Sequence, residues 1–160
     1  MTLKTGDKAP AFSLPDQDGK VHALKDYKGQ WVLAYFYPKD DTPGCTKEAC
    51  AIRDAWSQYK KEKVQVFGVS ADSPASHAKF IAKFTLPFTL LADEAREMTK
   101  AYDTWGKKKF MGREYEGIFR HSFLINPEGR IAKVYEEVKP EEHAAEVLAD
   151  VQVFKKQVSA

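Results

Sequence analysis

The sequence predicts an α/β fold in which helices flank a mixed central sheet, with a β-hairpin added at the N-terminus. Three observations lead to this prediction. Apolar, strand-like runs alternate with segments of helical periodicity through the first two-thirds of the chain. A pair of strands joined by a tight turn and a last amphipathic segment then follow. The length of 160 residues and the 43% content of hydrophobic residues suit one compact domain, which we expect to span residues 1–160.

The N-terminal part is predicted to contain a hairpin and a buried strand. Phe12–Val21 forms the hairpin, because its middle, Asp16–Gly19, is rich in turn-forming residues. Trp31–Tyr37 is a continuous apolar and aromatic run bounded by Gly29 and Pro38. Such a run is typical of a strand that is covered on both faces.

A turn-rich loop, Pro38–Gly44, precedes a helix predicted over Thr46–Lys61. Val64–Ser70 is a second buried strand, and Ser73 and Pro74 are the N-cap and the first residue of the next helix. The first of these helices is predicted from apolar residues at spacings of three and four, namely Ala49, Ile52, Trp56 and Tyr59.

The second half of the chain is predicted to hold a short strand, a short helix, a polar loop, a hairpin and a last helix. The apolar stripe of the helix before this half, Phe80, Ile81 and Phe84, is assigned to the core. In chain order these elements are the strand Phe88–Ala92, the helix Glu94–Tyr102, the polar loop Trp105–Gly117, the hairpin strands Phe119–Ile125 and Arg130–Glu136 around the turn Asn126–Gly129, and the last helix Pro140–Lys155.

Composition and charge exclude several classes of function. The formal net charge is only +2, so we expect no binding of nucleic acid. The longest apolar run is far shorter than the ~20 residues of a membrane helix, and the N-terminus lacks the apolar core of a signal peptide. We therefore expect a cytoplasmic protein without a membrane segment. In a reducing compartment its two cysteines are either buried apolar residues or working thiols.

The segment between the first buried strand and the following helix holds both cysteines. Cys45 is expected in the first helical turn, where unpaired N–H groups and the helix dipole stabilise a thiolate. Thr42, three residues earlier, carries a hydroxyl that can hold a hydroperoxide against the sulfur. A lone cysteine at such a turn is more often a core residue. The segment by itself therefore leaves a structural and a nucleophilic cysteine both open.

This segment resembles the active-site motif of the peroxiredoxins, which are thiol peroxidases of thioredoxin-like fold. Pro38, Thr42 and Cys45 match the family pattern Pro-x-x-x-Thr/Ser-x-x-Cys. The second cysteine, Cys50, is similar to that of the bacterioferritin comigratory protein, or Q-type, branch. The resemblance extends over nearly the whole chain and includes the segments Asp7–Phe12 and Gly117–Ile125.

The resemblance implies a mechanism and the residues that perform it. Cys45 attacks the peroxide and becomes a sulfenic acid, and Cys50 resolves it as an intramolecular disulfide. Thioredoxin or a similar dithiol reductant then reduces that disulfide. Arg120 is expected beside the reacting sulfur, with Glu48 as the residue that orients it; a solvated Glu48 is the alternative. The pocket is completed by Pro38, Pro43 and Gly44.

The spacing of the two cysteines constrains this cycle. Residues five apart on a helix have Cα atoms about 8.6 Å apart and point to different faces. A disulfide needs Cα atoms less than about 7 Å apart. We therefore expect the helix start, roughly residues 44–51, to unwind in every turnover. The alternative is that Cys50 already lies outside regular helix in the reduced protein.

Other features are given a structural interpretation. The histidines His77, His121 and His143 lack metal-ligand spacing, so we expect neither a metal nor a cofactor. The run Lys107–Lys109 is interpreted as a solvated loop rather than an anion site. The neighbouring residues Trp105, Phe110 and Met111 are either a rim of the active site or loop anchors, and the role of His121 is left open.

Three hypotheses for function follow, and the cysteine pair separates them. The leading one is a thioredoxin-dependent peroxidase acting on hydrogen peroxide and organic hydroperoxides in antioxidant defence. A peroxide sensor or thiol–disulfide oxidoreductase, which passes its oxidation to a partner protein, is the second. A redox-inert binding or holdase-like domain with structural thiols is the third. A resolving cysteine within the same chain removes the need for a dimer, so we expect a monomer.

Overall fold

The computed structural model of the chain describes residues 3–159. A short 3₁₀ turn, Leu24–Tyr27, follows the second strand. The strands are β1 (Ser13–Pro15), β2 (Val21–Ala23), β3 (Trp31–Phe36), β4 (Val64–Ser70), β5 (Thr89–Ala92), β6 (Trp105–Phe110), β7 (Arg113–Ile118), β8 (Ser122–Ile125) and β9 (Ile131–Tyr135). The helices are α1 (Pro43–Asp54), α2 (Trp56–Lys61), α3 (Pro74–Phe84), α4 (Glu97–Ala101) and α5 (His143–Ser159).

A mixed central sheet organises the described residues. Its strand order is β5-β4-β3-β8-β9, with β3, β4 and β5 parallel and β8 and β9 antiparallel to their neighbours. Parallel neighbours need a crossover connection. The chain accordingly passes through α1 and α2 between β3 and β4, and through α3 between β4 and β5. β1 and β2 form the N-terminal hairpin.

Two hydrophobic cores lie on opposite faces of this sheet. Successive side chains of a strand point to opposite faces, and β3 is buried along its whole length. Trp31, Leu33 and Tyr35 belong to the first core, which includes residues of α1, α2, α3 and α5. The residues of β3 between them, Val32, Ala34 and Phe36, belong to the second core with Phe12 of the N-terminal segment and Met98 of α4.

The predicted polar loop over Trp105–Gly117 is wrong, because this segment is the hairpin β6–β7. The hairpin closes through Met111 and Gly112, whose φ angles are 52° and 79°. Two successive positive φ angles give a turn whose twist matches that of the paired strands. Met-Gly is not a recognised pair for this turn, and the strands are largely polar, so the sequence pattern indicated a loop.

The predicted helix over Thr46–Lys61 also differs in the structure. It begins three residues earlier, at Pro43, because proline suits the first position of a helix. It is divided at Ala55, whose φ and ψ of −96° and 9° leave helical geometry. Smaller differences affect element boundaries, since β8 begins at Ser122, α4 spans Glu97–Ala101 and α5 begins at His143.

Candidate active site

The candidate site lies where the carboxyl end of β3 leads into α1. In sheets of this kind, sites form at the carboxyl ends of parallel strands, beside the N-termini of the following helices. The first bond of α1 runs from the N–H of Thr46 to the carbonyl of Thr42, 2.8 Å away. Cys45 is thus the third residue of the helix. The N–H groups of Gly44 and Cys45 have no acceptor within the helix, so the positive end of α1 faces this thiol.

Arg120 reaches the sulfur of Cys45 from the connection between β7 and β8. Its Nη2 donates to Cys45 Sγ over 3.4 Å, and its Nη1 donates to Glu48 Oε1 over 2.9 Å. Cys45 is only 1% exposed. A Cβ atom on Gly44 would lie 3.0 Å from Arg120 Nη2, so the glycine leaves space for the guanidinium. The fold therefore brings these four residues together.

Glu48 lies one helical turn beyond Cys45 and is completely buried. Burial raises its pKa to about 7 from an ordinary value of 4.5, although the charge of Arg120 opposes this rise. Its Oε2 atom has no hydrogen-bond partner in the described part of the protein. The alternative of a solvated carboxylate is excluded by this burial and by the ion pair with Arg120.

Thr42 caps the site on the loop side and is partly exposed. Its hydroxyl donates to the carbonyl of Lys39 over 2.9 Å and accepts no hydrogen bond from the N–H groups of α1. Because the hydroxyl hydrogen is used there, the Thr42 oxygen is left to accept a hydrogen bond from another group. Pro38 follows β3 and is partly buried, whereas Pro43 is exposed at the first position of α1.

Cys50 lies on α1 with Cys45, and both are free thiols. Cys45 is buried and Cys50 is partly exposed. The alternative in which Cys50 lies outside regular helix in the reduced protein is therefore excluded. Helix geometry separates the two Cα atoms by about 8.6 Å, beyond the reach of a disulfide.

Comparison with known proteins decides the family. The sequence profile of the AhpC/TSA family matches residues 5–134. This chain belongs to the AhpC/TSA family. Among its relatives are the peroxiredoxin Bcp of Escherichia coli K12, 49% identical over 91% of this chain and 94% of the relative, and the peroxiredoxin Bcp of Bacillus subtilis, 46% identical over 92% and 94%.

Solved structures of peroxiredoxins have the same fold. A cysteine-to-serine variant of PrxQ from Xylella fastidiosa superposes with a TM-score of 0.91 and 33% identity over 97% of this chain and 99% of that one. Peroxiredoxin Q of Xanthomonas campestris gives a TM-score of 0.84 and 35% identity over 89% and 90%. The predicted thioredoxin-like α/β fold and the predicted thiol peroxidase are confirmed: the chain is a peroxiredoxin, whose family acts on peroxides with a thiol reductant.

A buried polar cluster in this peroxiredoxin was not predicted from the sequence. His77 of α3 contacts Asp40 through Nδ1, 2.7 Å from the carboxylate, and donates from Nε2 to the carbonyl of Leu91. Tyr37 and Ser76 donate to the same carboxylate, and Asp72 accepts from the Asp40 backbone N–H. These contacts hold the loop before α1 against α3, through His77, and against the segment that follows β4, through Asp72.

The same cluster bears on the prediction that no metal is bound. Ligand-type atoms of Asp40, Asp72 and His77 lie within 4.8 Å of one another. Each of them is already engaged in the hydrogen bonds of the cluster, which explains their proximity without an ion. No linear spacing links residues 40 and 77, so no sequence signal could have indicated this contact. The absence of a metal stays a prediction.

The hairpin β6–β7 brings a further cation toward the site. Lys108 is partly buried, whereas Phe110 and Met111 at the hairpin tip are 67% and 89% exposed. The tip therefore does not form a packed rim around Cys45. Trp105 is partly buried, and the guanidinium carbon of Arg96 lies over the Trp105 ring, 4.7 Å from the centre of that ring.

His121, whose role the sequence left open, stacks on the ring of Phe119. Burial lowers the pKa of His121.

No helix among residues 3–159 is both long and apolar enough to cross a bilayer.

Proposed function

We propose that Cys45 is the thiol with which this peroxiredoxin reduces hydrogen peroxide and organic hydroperoxides, and that Cys50 resolves it. The observation that supports this most directly is the hydrogen bond from Arg120 Nη2 to Cys45 Sγ at the start of α1. A fixed cation and the helix N-terminus both favour the thiolate, which is the nucleophilic form of cysteine. Cys50 has neither of these neighbours in the contacts described.

In the first step, the Cys45 thiolate attacks the terminal oxygen of the peroxide. An S–O bond forms, the O–O bond breaks, and the leaving alkoxide or hydroxide takes up a proton and departs as alcohol or water. Arg120 donates to the charge that develops on oxygen, and Thr42 accepts from the peroxide O–H. Glu48 holds the guanidinium in place through its bond to Nη1. Cys45 is left as a sulfenic acid.

In the second step, the Cys50 thiolate attacks the sulfenic sulfur, hydroxide leaves as water, and a Cys45–Cys50 disulfide forms. Because both residues lie on α1, the helix unwinds around them before this bond can close. A dithiol reductant of the thioredoxin type then exchanges with the disulfide and is itself oxidised. For organic hydroperoxides, support comes from the bacterioferritin comigratory protein of Xanthomonas campestris, described as having alkyl peroxide reduction activity.

The cycle suits a cytoplasmic, monomeric antioxidant enzyme formed by one domain over residues 1–160. A reducing compartment supplies the dithiol that the cycle requires. Both cysteines belong to one chain, so no second subunit has to contribute a thiol. Sedimentation of the reduced and the oxidised protein at several concentrations tests the monomer.

Peroxide turnover by cysteine variants tests the proposed roles. Cys45→Ser should abolish peroxide consumption supported by a thioredoxin system. Cys50→Ser should allow one oxidation of Cys45 and then stall, with an intact mass one oxygen higher. Unchanged consumption by Cys45→Ser would refute the proposal. A stable mixed disulfide with one partner protein, with little peroxide turnover, would instead favour a sensor.

Hydrogen exchange tests the unwinding of α1. Within the 44–51 segment, the backbone amides of residues 46–51 should exchange much faster in the disulfide form than in the reduced form, because unwinding opens their helical hydrogen bonds. The amides of α3, which carries no cysteine, serve as the internal control. Equal protection of residues 46–51 in the two forms would rule out this step.

A further inference from the structure

The middle lysine of the Lys107–Lys109 run differs from its neighbours. All three belong to β6, where successive side chains point to opposite faces. Lys107 and Lys109 are exposed, whereas Lys108 is partly buried. The run is therefore not a uniform solvated patch, and its central side chain turns toward the body of the protein.

The hairpin leaves a path for the Lys108 side chain. A Cβ atom on Gly117 would lie 3.1 Å from Lys108 Cδ and 3.3 Å from the Tyr115 ring. Contacts this short are tighter than most contacts of a Cβ atom in packed proteins. Because residue 117 is glycine, the aliphatic part of Lys108 can pass over the β7 backbone instead of turning outward.

The ammonium group at the end of this path is fixed next to Arg120. Lys108 Nζ donates to the carbonyl of Ile118 over 2.9 Å, two residues before Arg120. Lys108 and Arg120 also line one cavity of about 380 Å³, whose other charged side chains are Glu136, Glu137 and Lys139. Burial and the Arg120 charge lower the pKa of Lys108, while the charge of Cys45 opposes this change. Arg120, which lines the same cavity, contacts Cys45 Sγ through Nη2 over 3.4 Å.

We propose that Lys108 is a positioning residue for peroxide reduction, which stabilises the Cys45 thiolate by its charge and holds the segment that carries Arg120. Coulomb attraction is mutual, so a thiolate that stabilises the ammonium is equally stabilised by it. The bond to the Ile118 carbonyl fixes the chain just before Arg120 and so helps to aim the guanidinium at the sulfur. Lys108 does not contact the sulfur and is not a catalytic residue. This inference rests on the proposed role of Cys45.

The test compares Lys108→Met and Lys108→Arg with Lys107→Met, each in a Cys50→Ser background. Lys107→Met is the matched control, because it removes an exposed charge from the same strand. The first readout is the pH midpoint of thiolate formation, followed by ultraviolet absorbance of the thiolate. We expect Lys108→Met to raise this midpoint by about half a pH unit, and less in high salt. Lys108→Arg should restore the midpoint, and Lys107→Met should leave it unchanged.

The second readout is the rate of the single oxidation of Cys45 by hydrogen peroxide as a function of pH. Below the midpoint, Lys108→Met should be slower by about threefold, which is the fold-change that half a pH unit produces. If Lys108→Met does not fold, Lys108→Gln removes the charge but keeps a hydrogen-bond donor. A midpoint in the neutral variants equal to that of Lys107→Met would overturn the inference.

These outcomes separate this inference from the proposed function. If peroxide oxidation in the Lys108 variants still requires Cys45 but the thiolate midpoint does not move, only the role of Lys108 fails. If the Cys50→Ser protein with Lys108 intact is not oxidised at Cys45 by peroxide, the proposed function fails, whatever the midpoint.

Discussion

At the scale of single residues, the site depends on a close approach between a helix and an arginine. Gly44 lies in the first turn of α1, directly below the guanidinium of Arg120. A methyl group at this position would meet Nη2, the atom that donates to Cys45 Sγ. The guanidinium is the end of a flexible side chain, so it would move away from the sulfur rather than distort the backbone.

We expect Gly44→Ala to slow peroxide reduction by about 10- to 100-fold, because displacement of a donor by a fraction of an ångström weakens its bond to the reacting atoms. Stability should not fall, since alanine is favoured over glycine in a helix by about 1 kcal/mol. Stopped-flow oxidation and urea unfolding of the same samples measure both effects. Lys47→Ala, an exposed change on the same helix, is the control. An unchanged oxidation rate in Gly44→Ala would contradict this account of the glycine.

Glu48 makes the stability of the fold depend on pH. Its pKa is about 7 in the folded protein, against an ordinary value of 4.5 that applies to the unfolded chain. The folded state therefore holds the proton more tightly. The stability that Glu48 contributes is fully present below pH ~4.5 and is lost as the pH rises through ~7.

Glu48→Gln should remove this pH dependence. Near pH 4 the wild type and the variant should have similar free energies of unfolding, because both side chains are neutral. Near pH 8 the wild type should have lost roughly 2–4 kcal/mol relative to the variant. Urea unfolding at the two pH values gives the difference. A gap that stays constant, or one that grows in favour of the wild type as the pH rises, would show that burial does not dominate at this carboxylate.

The local sequence pattern indicated only residues that are near one another in the chain, and Arg120, 75 positions from Cys45, was indicated by the family resemblance alone. Thr42 and Cys45 are three positions apart, so a linear motif and the start of a helix were enough to indicate them. Lys108 was not identified, because its partner is the Ile118 carbonyl and its charged neighbours, Cys45 and Arg120, are brought close only by the hairpin and the sheet.

At the scale of elements, the buried strands could be predicted and the β6–β7 hairpin could not. β3 is covered on both faces, so nearly every residue is apolar, and its pattern is unambiguous. The hairpin lies outside the central sheet and is mostly exposed. Its strands therefore lack the apolar residues that indicate burial, and its turn carries Met111 where Asn is the usual signal.

The turn predicts a stabilising substitution. Met111 has a φ of 52° and is 89% exposed, so it adopts an unfavourable backbone conformation without the benefit of burial. Met111→Asn should raise the free energy of unfolding by about 0.5–1 kcal/mol, because Asn tolerates positive φ. Peroxide reduction should be unaffected. Arg113→Asn, one position beyond the turn, is the control and should give no gain; a loss of stability in Met111→Asn would contradict the prediction.

At the scale of the whole molecule, the helix that carries both cysteines is also part of the first hydrophobic core. Cys45, Ala49 and Ile52 of α1 are buried there with Val147 and Val151 of α5. The helix is thus held by the same packing that stabilises the fold. The proposed disulfide requires this helix to unwind, so each turnover removes part of the core, while the two sheet faces and the remaining helices stay in place.

Two opposing effects determine how oxidation changes global stability. A disulfide between residues five apart closes a very short loop and stabilises by only about 2 kcal/mol through the entropy of the unfolded chain. Unwinding of residues 44–51 exposes Ala49, whose burial contributes about 0.8 kcal/mol. It also opens the helical hydrogen bonds donated by residues 46–51, each of which contributes about 0.5–1.5 kcal/mol. The losses exceed the gain, so the disulfide form should be the less stable one.

Urea unfolding of the reduced and the fully oxidised protein tests this balance. We expect a lower midpoint for the oxidised form, together with a smaller dependence on urea, because part of its surface is already exposed before global unfolding. Cys50→Ser, treated with the same reductant and peroxide, is the control that cannot form the disulfide. A higher midpoint for the oxidised protein would mean that α1 repacks after the disulfide forms. In a less stable disulfide form, reduction by the dithiol is aided by the refolding of α1, and the core itself contributes to completing the cycle.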